Sequence, residues 1–145
     1  MLDVMTNYFD LMLALDELPV QVANHQKELN ELELALSLTK RQFDDKRNDL
    51  ISVNGGWSAQ GKNESERELN VKALIQQDSA TSALQTSIYT LEQDIIRINW
   101  LVNDCERRYG AVCYKIRLHS ALLMYLANAS AQAPIEQLEW KPMLV

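Results

Sequence analysis

Few residues in this chain could carry chemistry. The candidates are Cys105 and Cys113 for a disulfide, His25 as a ligand, His25 with His119 for a triad that two histidines on separate seams do not complete, and Gly55-Gly56-Trp57-Ser58-Ala59-Gln60-Gly61-Lys62 for a phosphate cradle. Spacing argues against each. The cysteines stand eight positions apart on one predicted helix, about 12 Å along its axis, too far for a disulfide within one chain. Cys105 falls on an apolar rung and reads as a small buried hydrophobe. His25 has no Cys, His or Asp three or four residues on with which to form a metal pair. The glycines do not keep the P-loop spacing, and Asn63 stands where a magnesium-binding Ser or Thr belongs. There is no HExxH, no nucleophile elbow and no Cys/His cluster. The sequence therefore predicts no catalytic residue, no cofactor and no metal, hence a non-enzymatic protein.

What the sequence builds instead is helix. From Ser79 to Ala127 the residues Leu84, Ile88, Leu91, Ile95, Ile98, Val102, Cys105, Tyr109, Val112, Ile116, His119, Leu123 and Leu126 follow at alternating steps of four and three. This 3.5-residue repeat marks a coiled-coil helix, about 75 Å long at about 1.5 Å per residue. Ile or Val holds the rungs at 88, 95, 102 and 116, with Tyr109 between the last two. That choice suits both a parallel two-stranded coil and antiparallel packing within one chain. A second stripe, Tyr89, Ile96, Trp100, Tyr114, Leu118 and Tyr125, lies beside the first, and from Ala111 to Leu126 the helix is apolar on most faces. Such a segment demands burial on most sides. It predicts a homo-oligomeric bundle centred on Tyr109, Val112, Ile116, His119, Leu123 and Leu126, with His119 as a polar rung that can specify register.

The preceding chain supplies partners for that helix. Residues 2–17 form a short amphipathic helix with Phe9, Met12 and Leu13, four acids by residue 17 and no base. Pro19 is expected to end it and to open the next helix, where a missing N–H costs nothing. Over 19–52 and into Val53 the rungs Val22, Leu29, Leu32, Leu36, Phe43, Leu50 and Val53 make a weaker ladder, interrupted by His25, Thr39 and Lys46. Three of the four glycines then gather in a loop at 53–63. Asn63 with Glu66 makes a capping-box-like start for a helix over 64–77. The run Asp78-Ser79-Ala80-Thr81-Ser82 is rich in capping side chains and predicts a break before a helix over 80–127. Beyond it lies a tail, 128–145, with Pro134, Ile135, Leu138, Trp140, Met143 and Leu144.

The run Gly61-Lys62-Asn63-Glu64-Ser65-Glu66-Arg67, between a Gly/Trp loop and a Leu-rich helix, resembles a G-x-N-E-x-x-R turn in small helical proteins of phages and integrated mobile elements. The resemblance covers mainly residues 50–80. It implies a mobile-element setting and carries no catalytic residue across.

The expected architecture is thus all-α: a single helical domain, an elongated antiparallel hairpin or coiled coil with a short N-terminal helix, assembled into an oligomeric bundle. The formal net charge of −6 argues against binding nucleic acid with the whole surface. Bases do concentrate at Arg97, Arg107, Arg108, Lys115 and Arg117 and at Lys40, Arg41, Lys46 and Arg47. They leave open a nucleic-acid-associated factor in replication or recombination, while the acidic balance is too dilute to favour a DNA mimic. No segment is apolar enough to span a membrane. The missing signal peptide and the unpaired cysteines suggest a cytoplasmic protein. The leading expectation is an oligomeric coiled-coil protein acting through protein contacts, with Trp57, Lys62 and Trp140 as the partner-binding candidates.

Overall fold

The structure, a computed structural model, describes the backbone of residues 2–138 and the side chains of residues 7–131. The described chain is all-helical, without a strand. In order it comprises α1 (Leu2–Val53), a turn of 3-10 helix (Trp57–Gln60), α2 (Glu64–Gln77) and α3 (Ser79–Leu138). The chain divides into two compact units, Met1–Ala23 with Asn103–Val145 (unit 1) and Asn24–Val102 (unit 2). Paired helices bury only what lies across from them, so contacts gather locally along their length.

Pro19 does not end a helix, contrary to the sequence-based expectation of a separate N-terminal helix. It lies inside α1 because the ladder is in register across it: Leu11, Leu15 and Leu18 continue the steps of Val22, His25 and Leu29, and all six are buried or half-buried. Pro19 itself is exposed. An interior proline costs a helix about 3 kcal/mol, whereas each fully buried Leu contributes about 1.5–3 kcal/mol. Keeping several such rungs in phase outweighs the single defect. At the far end of α1 the ladder drifts. Val53 and Lys46 are exposed, and Arg47 and Ile51 turn inward, because Ile51 joins Val71 and Ile75 of α2 in a small core against which Phe43 packs.

The seam of α3 follows the predicted rungs closely. From Leu84 to Leu123 every one is buried or half-buried except Tyr109, which is exposed, as is Leu126. Ile98, at 1% exposure, is the most deeply covered of them. Within each unit α1 and α3 run antiparallel. In unit 1 the Cys105 thiol donates to Gln21 Oε1 at 3.8 Å, and Leu11 shares a groove with His119. In unit 2 Lys40 Nζ lies 2.8 Å from Glu92 Oε1, and the charge of Lys46 acts on Asp78.

α2 and α3 are separated by Asp78 alone, a sharper break than the predicted stretch of capping residues. The Asp78 N–H still donates to the Leu74 carbonyl at 3.1 Å, closing α2. Its carboxylate accepts from the Thr81 N–H at 2.8 Å and from Thr81 Oγ1 at 2.6 Å, opening α3. Thr81 is fully buried, at 0% exposure, so the capping pair is also a packing contact. α3 then runs to Leu138, beyond the predicted stop at 127. The alternate alanines 127, 129, 131 and 133 have the highest helix propensity and prolong the helix after the apolar repeat ends. Trp140, Met143 and Leu144 lie outside the described residues.

Two outcomes follow from these helix joints. Pro19→Ala restores an N–H within a continuous helix at an exposed position, so it should raise stability by about 1–3 kcal/mol in chemical denaturation; an unchanged or lower stability would show that the helix needs a stop there. The Asp78 carboxyl is held below its ordinary value, mainly by the Thr81 hydroxyl and N–H. A depressed carboxyl contributes stability that is fully present above the unfolded value and is lost as pH falls through the folded one. Asp78→Asn should therefore lower the melting temperature by a few degrees at neutral pH, and the difference from wild type should shrink in acid below the ordinary carboxylate range.

Candidate functional site

The loop between α1 and α2 holds two of the three partner-binding candidates. α1 closes with two amide donations: the Gly55 N–H to the Ser52 carbonyl at 3.3 Å and the Gly56 N–H to the Ile51 carbonyl at 2.8 Å. This is the paired reversal that ends many helices, and it needs a left-handed residue just past the end. Gly55 at φ +93° meets that need, where a Cβ would sit 3.0 Å from the Ala59 Cβ, and Gly56 follows at φ +85°, a backbone conformation that only glycine adopts readily. The Asn54 side chain also donates to the Leu50 carbonyl at 2.8 Å.

The 3-10 turn is then plugged from inside. Gln60 is buried, and its amide donates to the carbonyls of Asn54 at 2.8 Å and Gly56 at 3.2 Å. Asn70 of α2 donates to the Gln60 carbonyl, and Arg67 Nε to the Gly61 carbonyl at 2.8 Å. Asn63 caps α2 by accepting from the Glu66 N–H at 2.9 Å. The reciprocal bond of a capping box shifts by one residue: Glu66 Oε2 accepts from the N–H of Lys62, not of Asn63, at 2.9 Å. At Gly61 a Cβ would sit 2.9 Å from the Arg67 nitrogen, so the backbone itself excludes a larger residue. Gly61, Asn63 and Arg67 of the turn motif thus have structural work: close approach, cap and clamp.

Trp57 stands at the start of this plug with 36% of its surface exposed, and Lys62 is exposed at its end. The two share the loop. The third candidate, Trp140, lies outside the described residues. The sequence marks Asp78 and Thr81 within a run of capping residues, but nothing in it marks Gln60 and Asn70. Gln60 donates to backbone carbonyls, and Asn70 to the Gln60 carbonyl, that come within reach only once the turn has folded, and polar residue type alone gives no sign of such a role.

The oligomer candidates lie on α3 in unit 1. Val112, Ile116, His119 and Leu123 are half-buried, while Tyr109 and Leu126 are more open. His119 borders a groove of about 470 Å³ with Asn7, Asp10, Leu11 and Lys115. Its Nδ1 is buried without a hydrogen-bond partner among the described residues, a costly arrangement for a polar atom. A separate, mostly apolar groove of about 300 Å³ lies between Pro19, Val22, Glu106 and Tyr109. The Tyr109 phenol is raised above its ordinary value by the charge of Cys113 and the hydrogen bond to it.

The basic residues are distributed unevenly. Lys40 is paired with Glu92 across the helices of unit 2, and Arg41 shares its surface with Glu33, Asp44 and Asp45. Arg97 and Arg107 sit beside Asp94 and Asp104 at 3.5 and 2.7 Å. Arg108, Lys115 and Arg117 have no ion pair among the described residues. No helix of the described residues is long and apolar enough to cross a membrane. Comparisons with protein-family models, with curated proteins and with solved structures find no match.

Gly61→Ala should push the Arg67 backbone and the Glu66 side chain apart and lower stability by about 1–3 kcal/mol, read by urea denaturation. A variant as stable as the wild type would show that the loop closes with room to spare.

Proposed function

We propose that this chain is a non-enzymatic, oligomeric coiled-coil protein that works through protein–protein contacts in a cytoplasmic setting, as an accessory factor of a phage or mobile element. One observation carries the oligomeric part. With the α1–α3 seam already formed, large apolar side chains still face solvent. In unit 2 these include Tyr89, Ile96 and Trp100, the last 63% exposed. In unit 1 they include Phe9, Leu13, Tyr114, Leu118, Leu122, Met124 and Tyr125. Single exposed apolar residues are ordinary, but a helix lined with them on a second face is suited to an interface. The Trp57–Lys62 loop, rigidly plugged and open at its tip, supplies a surface for a different protein, with Trp140 as a second anchor. The mobile-element setting rests on the turn motif alone.

A second reading, a nucleic-acid-associated factor, is favoured by one feature: residues 107–131 hold four bases and no acid. Such a stripe would bind phosphates in a strongly salt-dependent way.

Folding that depends on association has a direct thermodynamic mark. The melting temperature should rise by several degrees as protein concentration increases a hundredfold, since binding between native copies stabilises them by mass action. A concentration-independent melt would contradict the oligomeric reading. Binding of double- or single-stranded DNA in low salt, lost in high salt, would favour the second.

A further inference from the structure

We propose that a second copy of this chain covers unit 1, the acidic segment 7–23 of each copy lying antiparallel along the basic segment 107–126 of the other. The assignment rests on the oligomeric reading above and specifies which surfaces meet.

Charge points to the occupant. In α1 the exposed Asp10, Asp16 and Glu17 stand in a segment, 7–23, without any Lys or Arg. In α3 the exposed Arg107, Arg108, Lys115 and Arg117 stand in a segment, 107–131, without any Asp or Glu. Among the described residues no ion pair joins the two sets; only Arg107 has an acidic partner, Asp104 on its own helix. The intrachain seam brings both segments into one unit, where Asp10 and Lys115 border one groove without forming an ion pair, and among the described residues the other acids and bases of the two sets have no partner across it. A surface carrying an acidic strip beside a basic one is complementary to its own two-fold image. Rotation places α1 of each copy against α3 of the other, and each contact is made twice. The alternatives, α1 on α1 or α3 on α3, set like charges together and are disfavoured.

Apolar exposure agrees. α1 offers Phe9, 70% exposed, with Met12 and Leu13; α3 offers Tyr114, Leu118, Leu122 and Tyr125, the last 71% exposed. At about 150–250 Å² for each aromatic side chain, these residues leave on the order of 600 Å² of apolar surface open in unit 1. A stable interface buries about 800 Å² per partner; Phe9 and Leu13 lie about half a turn from the Leu11 and Leu15 rungs, and Tyr114 about half a turn from Val112 and Ile116, so one two-fold contact covers part of this apolar surface and the charged rim completes it. A small ligand would leave most of it bare.

Wild-type chains labelled with ¹⁵N and mixed with unlabelled chains provide the test. A zero-length carboxyl-to-amine cross-linker should join Lys115 of one label to Asp10, Asp16 or Glu17 of the other. Two charge-reversed chains sharpen it: one with Asp10→Lys, Asp16→Lys and Glu17→Lys, the other with Arg108→Glu, Lys115→Glu and Arg117→Glu. Each alone should self-associate at least tenfold more weakly than wild type. Their mixture should recover a species holding one of each, detected by native mass spectrometry. Circular dichroism of each chain alone checks that helix is retained, and the wild-type cross-links decide the matter if it is not. A monomeric wild type would overturn both this assignment and the oligomeric reading. An oligomeric wild type whose inter-copy cross-links avoid these segments would overturn this assignment alone.

Discussion

A helix with a 3.5-residue apolar repeat buries one stripe against one partner and leaves the rest of its girth to be dealt with otherwise. In both units α1 and α3 meet that constraint on each other. Leu18, Leu29, Ile98, Val102 and Cys105 are the rungs driven furthest from water. The same constraint explains why α1 passes through Pro19: a break would put Leu11, Leu15 and Leu18 out of phase with Val22. It also explains the exposed aromatics. Once two helices share a seam, Tyr89, Trp100, Tyr114 and Tyr125 lie off it, and no third long helix is present among the described residues to receive them.

The chain reversal between α1 and α2 is held by other means. Its apolar content is small, and its order comes from backbone groups satisfied one by one: Gly55 and Gly56 on the end of α1, Gln60 inside the turn, Asn63, Glu66 and Arg67 at the start of α2. A loop fixed in this way holds Trp57 in place at little further entropic cost, which suits a docking residue.

Much of this was legible in the sequence where the signal was periodic. The rungs of α3 from Leu84 to Leu123 were readable because a repeat sustained over many turns averages out local exceptions. The bounds of α2 were equally readable, since Asn63 and Glu66 announce its start. Two kinds of information were not. Local punctuation was overridden by tertiary register at Pro19 and by alanine propensity past residue 127, so the helix stops fell in the wrong places. The packing of local polar bonds gave no warning either: Gln60 bonds to the carbonyls of Asn54 and Gly56 just before it, yet nothing in its identity shows that it fills a turn, and the capping run that holds Asp78 and Thr81 does not show that Thr81 is fully buried. For the candidate site, the turn motif could be seen as a cap, but the exclusion of a side chain at Gly61 required the position of the Arg67 backbone.

Under the proposed reading, function depends on what covers the faces that the seam leaves open. The acidic end of α1 and the basic stretch of α3 in one unit favour self-recognition over phosphate binding, because the acids that would repel a nucleic acid are those a second copy would use. Sedimentation equilibrium over a wide concentration range decides most directly whether copies assemble. Assembly predicts a mass at twice the 16.6 kDa of the chain, or a higher whole multiple, falling toward the monomer on dilution or in high salt. A single species of 16.6 kDa at every concentration would contradict it.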